Sequence, residues 1–290
     1  MNPRDITNEE VLKAFVAEDV GYGDITSNAL VDAKTTARGQ IVCKEDATIS
    51  GLEEALVLLR LVGLDGTGKV VDGRTVTART TILMAAGPAR SLLGVERTLL
   101  NLLSHMSGVS TATANLVSIA NRESNGRTKV ACTRKTLPGL RYFEKKAVEL
   151  GGGDTHRLRL DDAVLIKDNH LAIVGSIAEC IRKAKTGVSF TKKVEIEVTT
   201  PDQAVEAAKA GADIILLDNM TVNAVQRSLS LLKSNSLRDR VLVEASGGIT
   251  RNNIADYART QVDIVSVGEI THSAKAIDMS MEIAASNKRI

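Results

Sequence analysis

The feature that most constrains this 290-residue chain is a rhythm in its second half, where six short apolar runs of β character alternate with helix-type segments. The runs are VACT (130–133), AVLI (163–166), VEIEV (194–198), DIILL (213–217), RVLVEA (240–245) and DIVSV (263–267). Between them lie amphipathic stretches such as GLRYFEKKAVEL (139–150) and PDQAVEAAKAG (201–211). In the first of these, Leu140, Phe143, Ala147 and Leu150 share one helical face. Strand and helix in strict alternation predict parallel strands covered by helices, and continuously apolar strands fit a sheet buried on both faces. A barrel and an open doubly wound sheet both satisfy the pattern. The absence of GxGxxG after the first run weakens the dinucleotide-binding version.

The first half reads differently. TARGQIVCKEDATISG (36–51) and TVTARTTILMAAG (75–87) have the pace of antiparallel strands, with a helix, GLEEALVLLRLVG (51–63), between them. From Ser91 to about Ala120 the pattern is helical, and the change of domain is expected inside that helix, near residue 106. No Pro- or Ser-rich linker separates the halves.

Composition narrows the class. With no Trp, three Phe and three Tyr, the core must be aliphatic, and a chain this long buries a sizeable core without staples. A net charge of +2 gives no reason to expect nucleic acid. The charge is uneven, however: residues 127–159 hold nine basic side chains against three acidic ones, as a pocket for a small anion requires. Cys43, Cys132 and Cys180 have neither metal nor redox spacing and read as buried thiols of a reducing compartment. The N-terminal MNPRDITNEEVLKAF lacks a signal peptide's apolar stretch, and no run approaches the ~18 apolar residues that span a bilayer. A cytoplasmic protein, with no membrane partner, is expected.

The chemistry concentrates where the apolar runs end. Arg134 and Lys135 follow the first run; Lys167, Asp168, Asn169 and His170 the second; Asp218 and Asn219 the fourth. Glu244, Ser246, Gly247 and Gly248 close the fifth, and Gly268, Thr271, His272 and Ser273 follow the sixth. The third run itself carries Glu195 and Glu197, on one face of the strand. Singly, each has a bland explanation: a strand-end charge, a Lys167–Asp168 surface pair, a cap at Asp218, a helix stop at Gly151–Gly153. Six strands delivering polar groups to one rim match instead the carboxyl-end active face of a parallel barrel. A carboxylate at Glu197 inside such a barrel demands a cation. The glycine turns after the fifth and sixth runs, opening toward helices, suit a phosphate. The residues alone thus reach a barrel enzyme with a phosphate site, a basic pocket and two opposed acids.

The blocks TRKTLPGLRYFEKKAVELGGGDTHR (133–157), LIKDNH (165–170), EIEV (195–198), DIILLDN (213–219), EASGGIT (244–250) and VSVGEITHS (265–273) together resemble the signature of the quinolinate phosphoribosyltransferases. EDVGYGDITS (18–27), the GLEEA start at Gly51 and ERTLLNLLSHMSGVST (96–111) resemble the same family in the same order. The resemblance runs from about residue 10 to 275; Arg159 and Asp154 depart from the family's usual pattern.

It implies an α/β protein: an open six-stranded parallel α/β barrel over residues 107–270, with an N-terminal α/β (α+β) sandwich domain over residues 1–106 that the segment 271–290 rejoins. It implies quinolinate held by Arg134, Lys135, His156, Arg157 and Lys167, with Arg97 reaching in from the partner of a homodimer. Arginine forks suit paired ring carboxylates. Phosphoribosyl diphosphate is expected at Glu197, Asp218, Ser246, Gly247, Gly248, Gly268 and His272. Mg2+ is the implied cofactor, at Glu197 and Asp218, and the catalytic groups are Glu197, Asp218, Lys135 and Lys167. Dimers, or trimers of dimers, are the implied assemblies. A phosphoribosyltransferase for another acidic ring, and a non-catalytic phosphate-binding module, are the competing readings. The full cation set argues against the first, and the two acids opposite it argue against the second.

Overall fold

The computed structural model describes residues 3–286, so the outermost expected domain limits, residues 1 and 290, lie outside it. In chain order the first strands are β1 (Thr36–Cys43), β2 (Ala47–Thr48), β3 (Asp65–Gly68), β4 (Thr75–Val76) and β5 (Thr80–Pro88). Then come β6 (Lys129–Ala131), β7 (Val164–Ile166), β8 (Val194–Val198), β9 (Ile214–Asp218), β10 (Leu242–Ser246) and β11 (Ile264–Ser266), and last β12 (Met279–Ala285).

The chain divides into two units. One comprises the residues up to Ala112 with those from Ala274 onward; the other is Thr113–Ser273. The division falls within a single long helix, Ala89–Ser124, a few residues beyond the expected position near 106. In the first unit an antiparallel sheet runs β12–β1–β5–β3. Its β12 comes from the far end of the chain and was not predicted from the apolar pattern. The strand-like stretch 36–51 splits into β1 and β2, and 75–87 into β4 and β5. The helix between them spans Leu52–Leu61, with Leu52, Ala55, Leu58 and Leu59 buried at helical spacing.

In the second unit all six predicted runs are strands, and every neighbouring pair in the order β6–β11–β10–β9–β8–β7 is parallel. This is the order of a barrel opened between its first and second strands: among the described residues β6 and β7 do not pair. The outer face of each strand is apolar and closed by helices. Val194, Ile196 and Val198 of β8, Ile215 and Leu217 of β9, Val243 and Ala245 of β10, and Val265 of β11 are all buried. Alternation then turns Glu195, Glu197, Leu216, Asp218, Glu244, Ser246 and Ser266 to the inner face. The helices after β8 and β9 start on their own caps, Thr200 accepting from Gln203 N–H and Thr221 from Ala224 N–H, each at 3.3 Å. Asp218 is therefore not needed as a cap and is left to the interior.

Candidate active site

A cavity of about 800 Å³ opens at the carboxyl ends of the barrel strands. Its walls take every second residue of the strands: Leu165 and Lys167, Glu197 and Thr199, Leu216 and Asp218, Glu244 and Ser246, then Ser266. The loop after β6 adds Thr133, Arg134 and Lys135, and the turn before β7 adds His156 and Arg157.

One wall is acidic. Glu197 and Asp218 sit on adjacent strands, where Glu197 registers with Leu216 and Asp218 with Ser246 of β10. The cation that Glu197 requires is Lys167, whose Nζ donates to Glu197 Oε1, rather than Lys167 pairing with Asp168. Asp218 Oδ2 accepts from Asn219 Nδ2 at 2.9 Å, and Asn219 N–H donates to Ser246 O at 2.9 Å. Asn219 holds a left-handed φ of 52°. A side chain at Gly247 would place its Cβ 2.3 Å from Asn219 Oδ1 and 2.9 Å from Asn219 N, so only glycine fits beside it. The glycine turn does not open directly into a helix as its sequence suggests. The next helix, Ile254–Arg259, starts six residues after Gly248, so any anion there meets loop amides.

A second part of the lining is basic. Arg134 has a buried Nε with no hydrogen-bond partner, a donor held without a protein acceptor. Arg157 Nη1 donates to Ala163 O at 3.3 Å. Burial, then repulsion from Arg134, holds the Arg157 guanidinium below its ordinary proton affinity. A bound anion would relieve this repulsion, beyond the offset that Glu195 and Glu197 already supply.

Beneath them lies a buried trio. His156 Nε2 is 3.4 Å from Glu195 Oε2 and 3.3 Å from Glu244 Oε2, and Ser266 Oγ donates to Glu244 Oε1. Burial opposes charge on the ring, but hydrogen bonds and charges from Glu195 and Glu244 outweigh it and push the ring up to about 10. Burial also raises the Glu195 carboxyl. His156 Nδ1 lies 2.7 Å from the Arg157 backbone nitrogen, so the ring is held from both sides. Nε2 carries its proton toward the two carboxylates, the arrangement that raises the ring's hold on it. The spacing of the three groups, within 4.8 Å, would suit a metal, but a protonated Nε2 faces the carboxylates as a donor.

Of the residues predicted for the site, Arg134, Lys135, His156, Arg157, Lys167, Glu197, Asp218, Ser246, Gly247 and Gly248 line this one cavity. Gly268 and His272 do not line it, although a Cβ on Gly268 would lie 3.2 Å from both His272 Nε2 and Lys135 Cδ. Arg97 is exposed on the helix Ala89–Ser124 and belongs to the other unit. His156 has both ring nitrogens engaged by the protein. Arg159 is turned to solvent and pairs with Asp161 through two 3.1 Å bonds. Asp154 serves the backbone, its Oδ1 accepting from His156 N–H at 2.8 Å. The sequence reading assigned no site role to Glu195, Glu244, Asn219 or Ser266. Their position on the inward alternation of β8 to β11 was the available signal.

Two family models cover nearly the whole chain: the N-terminal domain of quinolinate phosphoribosyl transferase over residues 24–107 and its C-terminal domain over residues 109–282. A probable nicotinate-nucleotide pyrophosphorylase (carboxylating) of Methanothermobacter thermautotrophicus is 46% identical over 94% of this chain and 98% of its own. The nicotinate-nucleotide pyrophosphorylase (carboxylating) of Mycobacterium leprae is 38% identical over 94% and 96%. The crystal structure of NadC from Streptococcus pyogenes superposes with a TM-score of 0.90, at 37% identity and with 99% of each chain covered. With the six-stranded barrel, its two-walled cavity and these relatives in agreement, the chain belongs to the quinolinate phosphoribosyl transferase family.

Proposed function

We propose that this chain transfers the phosphoribosyl group of phosphoribosyl diphosphate to the ring nitrogen of quinolinate, releasing diphosphate and carbon dioxide and leaving nicotinate mononucleotide. The observation that carries the reading is one cavity that gathers two sets of groups, Arg134 and Arg157 with Lys135 and Lys167, and the acids Glu197 and Asp218. Arg134, Arg157, Lys135 and Lys167 take the two ring carboxylates and fix the acceptor nitrogen toward the sugar. Glu197 and Asp218 face the ribose, whose anomeric carbon becomes cationic as diphosphate departs, as in glycoside chemistry. Ser246, Gly247 and Gly248 offer loop amides to the 5′-phosphate, with Gly268 and His272 at the margin. Attack leaves a cationic ring nitrogen, and the electrons of the adjacent carboxylate then flow into the ring as carbon dioxide leaves.

Glu197 and Asp218 are hard oxygen donors on neighbouring strands at a roomy cavity, a set that fits magnesium carried in with a diphosphate. When bound, that ion supplies neutralisation of the departing diphosphate. We place the reaction in the cytoplasm, consistent with three buried free thiols. Among the described residues no helix is long and apolar enough to cross a membrane. Incubation with quinolinate, phosphoribosyl diphosphate and magnesium tests the assignment: mononucleotide and carbon dioxide should appear in equal amounts, and binding without turnover would refute it.

The working enzyme is a homodimer in which Arg97 completes the neighbour's cavity. Support comes from its place on an exposed helical surface of the other unit, and an isologous interface puts each copy at the opposite site. Arg97→Ala and Lys135→Ala chains, inactive separately, should regain about a quarter of parental activity after random subunit exchange. No recovery despite proven exchange would rule the shared site out.

A further inference from the structure

The open edge of the barrel poses a problem that one residue outside the cavity solves. On one side β6 pairs with β11; on the other, Val130 O accepts from Asp154 N–H at 2.8 Å and Cys132 N–H donates to Asp154 O at 3.0 Å. There the strand-like pairing stops, because β7 does not reach β6. The next three residues, Thr155, His156 and Arg157, carry two of the cavity's basic groups, and His156 holds a left-handed φ of 51°. No strand ladder satisfies the carbonyls of this turn.

Lys145 satisfies them. It lies on the helix Arg141–Leu150, 2% exposed, and does not line the cavity. Its Nζ donates to Thr155 O and, at 2.9 Å, to Arg157 O, and Cys132 Sγ adds a 3.3 Å contact to Thr155 O. No carboxylate stands within ion-pair distance of this Nζ among the described residues, and burial holds the ammonium below its ordinary proton affinity. A buried ammonium with no counter-ion is costly. Here its protons reach two carbonyls two residues apart, so one side chain ties both to the helix.

We propose that Lys145 is a positioning residue for the acceptor substrate: by holding the Thr155 and Arg157 carbonyls from beneath, it fixes the direction in which Arg157 meets a dicarboxylate ring. The proposal rests on the quinolinate reading above. The acidic wall, built on β8 to β10, does not depend on this turn, so the donor substrate should be indifferent to Lys145.

Steady-state kinetics of Lys145→Met tests this. The KM for quinolinate should rise at least tenfold while the KM for phosphoribosyl diphosphate moves less than threefold, and Lys145→Gln, which keeps two donor protons, should recover part of the loss. Equal loss for both substrates, or an unchanged quinolinate KM, would overturn the proposal. If neither variant folds, the unsubstituted enzyme labelled with nitrogen-15 at lysine Nζ decides. The Lys145 ammonium signal should shift on adding quinolinate and stay put with phosphoribosyl diphosphate; the absence of a quinolinate shift would overturn it. An unsubstituted enzyme that fails to turn over quinolinate is a separate result, which sinks the function itself.

Discussion

The two walls of the cavity are held in place by different means. Glu197 and Asp218 project from the middle and end of two ladder-paired strands, with their neighbours fixed by register on both sides. Arg134 and Arg157 hang from loops at the barrel's open edge, and the turn bearing Arg157 is anchored by interior side chains, Lys145 below and the Glu195–Glu244 pair beside. The contrast teaches that the acidic side is rigid by topology, whereas the basic side is rigid only through buried polar contacts. Substitutions should therefore separate by substrate.

The largest separation comes from the substrate itself. Nicotinate, lacking the 2-carboxylate, should lose at least about a thousandfold in kcat/KM, because it leaves cations of the basic wall unpaired in a partly buried site. Comparable rates for nicotinate and quinolinate would mean that the basic wall does not recognise a dicarboxylate. Next is Lys167, which joins the basic groups to the acidic ones through its bond to Glu197. Lys167→Ala should weaken quinolinate at least about tenfold, the worth of a charge-assisted contact. It should also perturb phosphoribosyl diphosphate, since Glu197 loses the cation it pairs with. An effect on neither substrate would remove Lys167 from the site.

The smallest effect is on stability. The trio of His156, Glu195 and Glu244 binds a proton more tightly when folded than an ordinary histidine does, up to about 10 against 6.5. A raised folded value means the stabilisation is complete below about pH 6.5 and is lost as pH climbs toward 10. The urea midpoint should decline across that window, and Glu195→Gln should flatten the decline. A parent whose midpoint does not fall there would contradict the proton placement.

Much of this was legible in the sequence because periodicity marks strands that are covered on both faces. VEIEV became β8 without a residue's change, and its alternation already put Glu195 and Glu197 on one inner face. β12 was not legible, since MSMEIAA pairs with a strand more than 230 residues away and nothing local requires it. Lys145 was invisible for a related reason. On a helical wheel it reads as a solvated charge, and only the backbone carbonyls of a turn ten residues on explain its burial. His156 shows the limit of family resemblance: its position in the cavity was expected, but the resemblance could not reveal that both ring nitrogens are taken by the protein.

The division of labour between the walls has one direct measurement. Arg134→Ala and Asp218→Asn chains should each be titrated calorimetrically with quinolinate and, separately, with magnesium phosphoribosyl diphosphate. The account predicts crossed losses: Arg134→Ala weakens quinolinate by at least about tenfold and spares the donor, while Asp218→Asn does the reverse. Losses falling on the same substrate in both variants, or shared equally between the two, would contradict it.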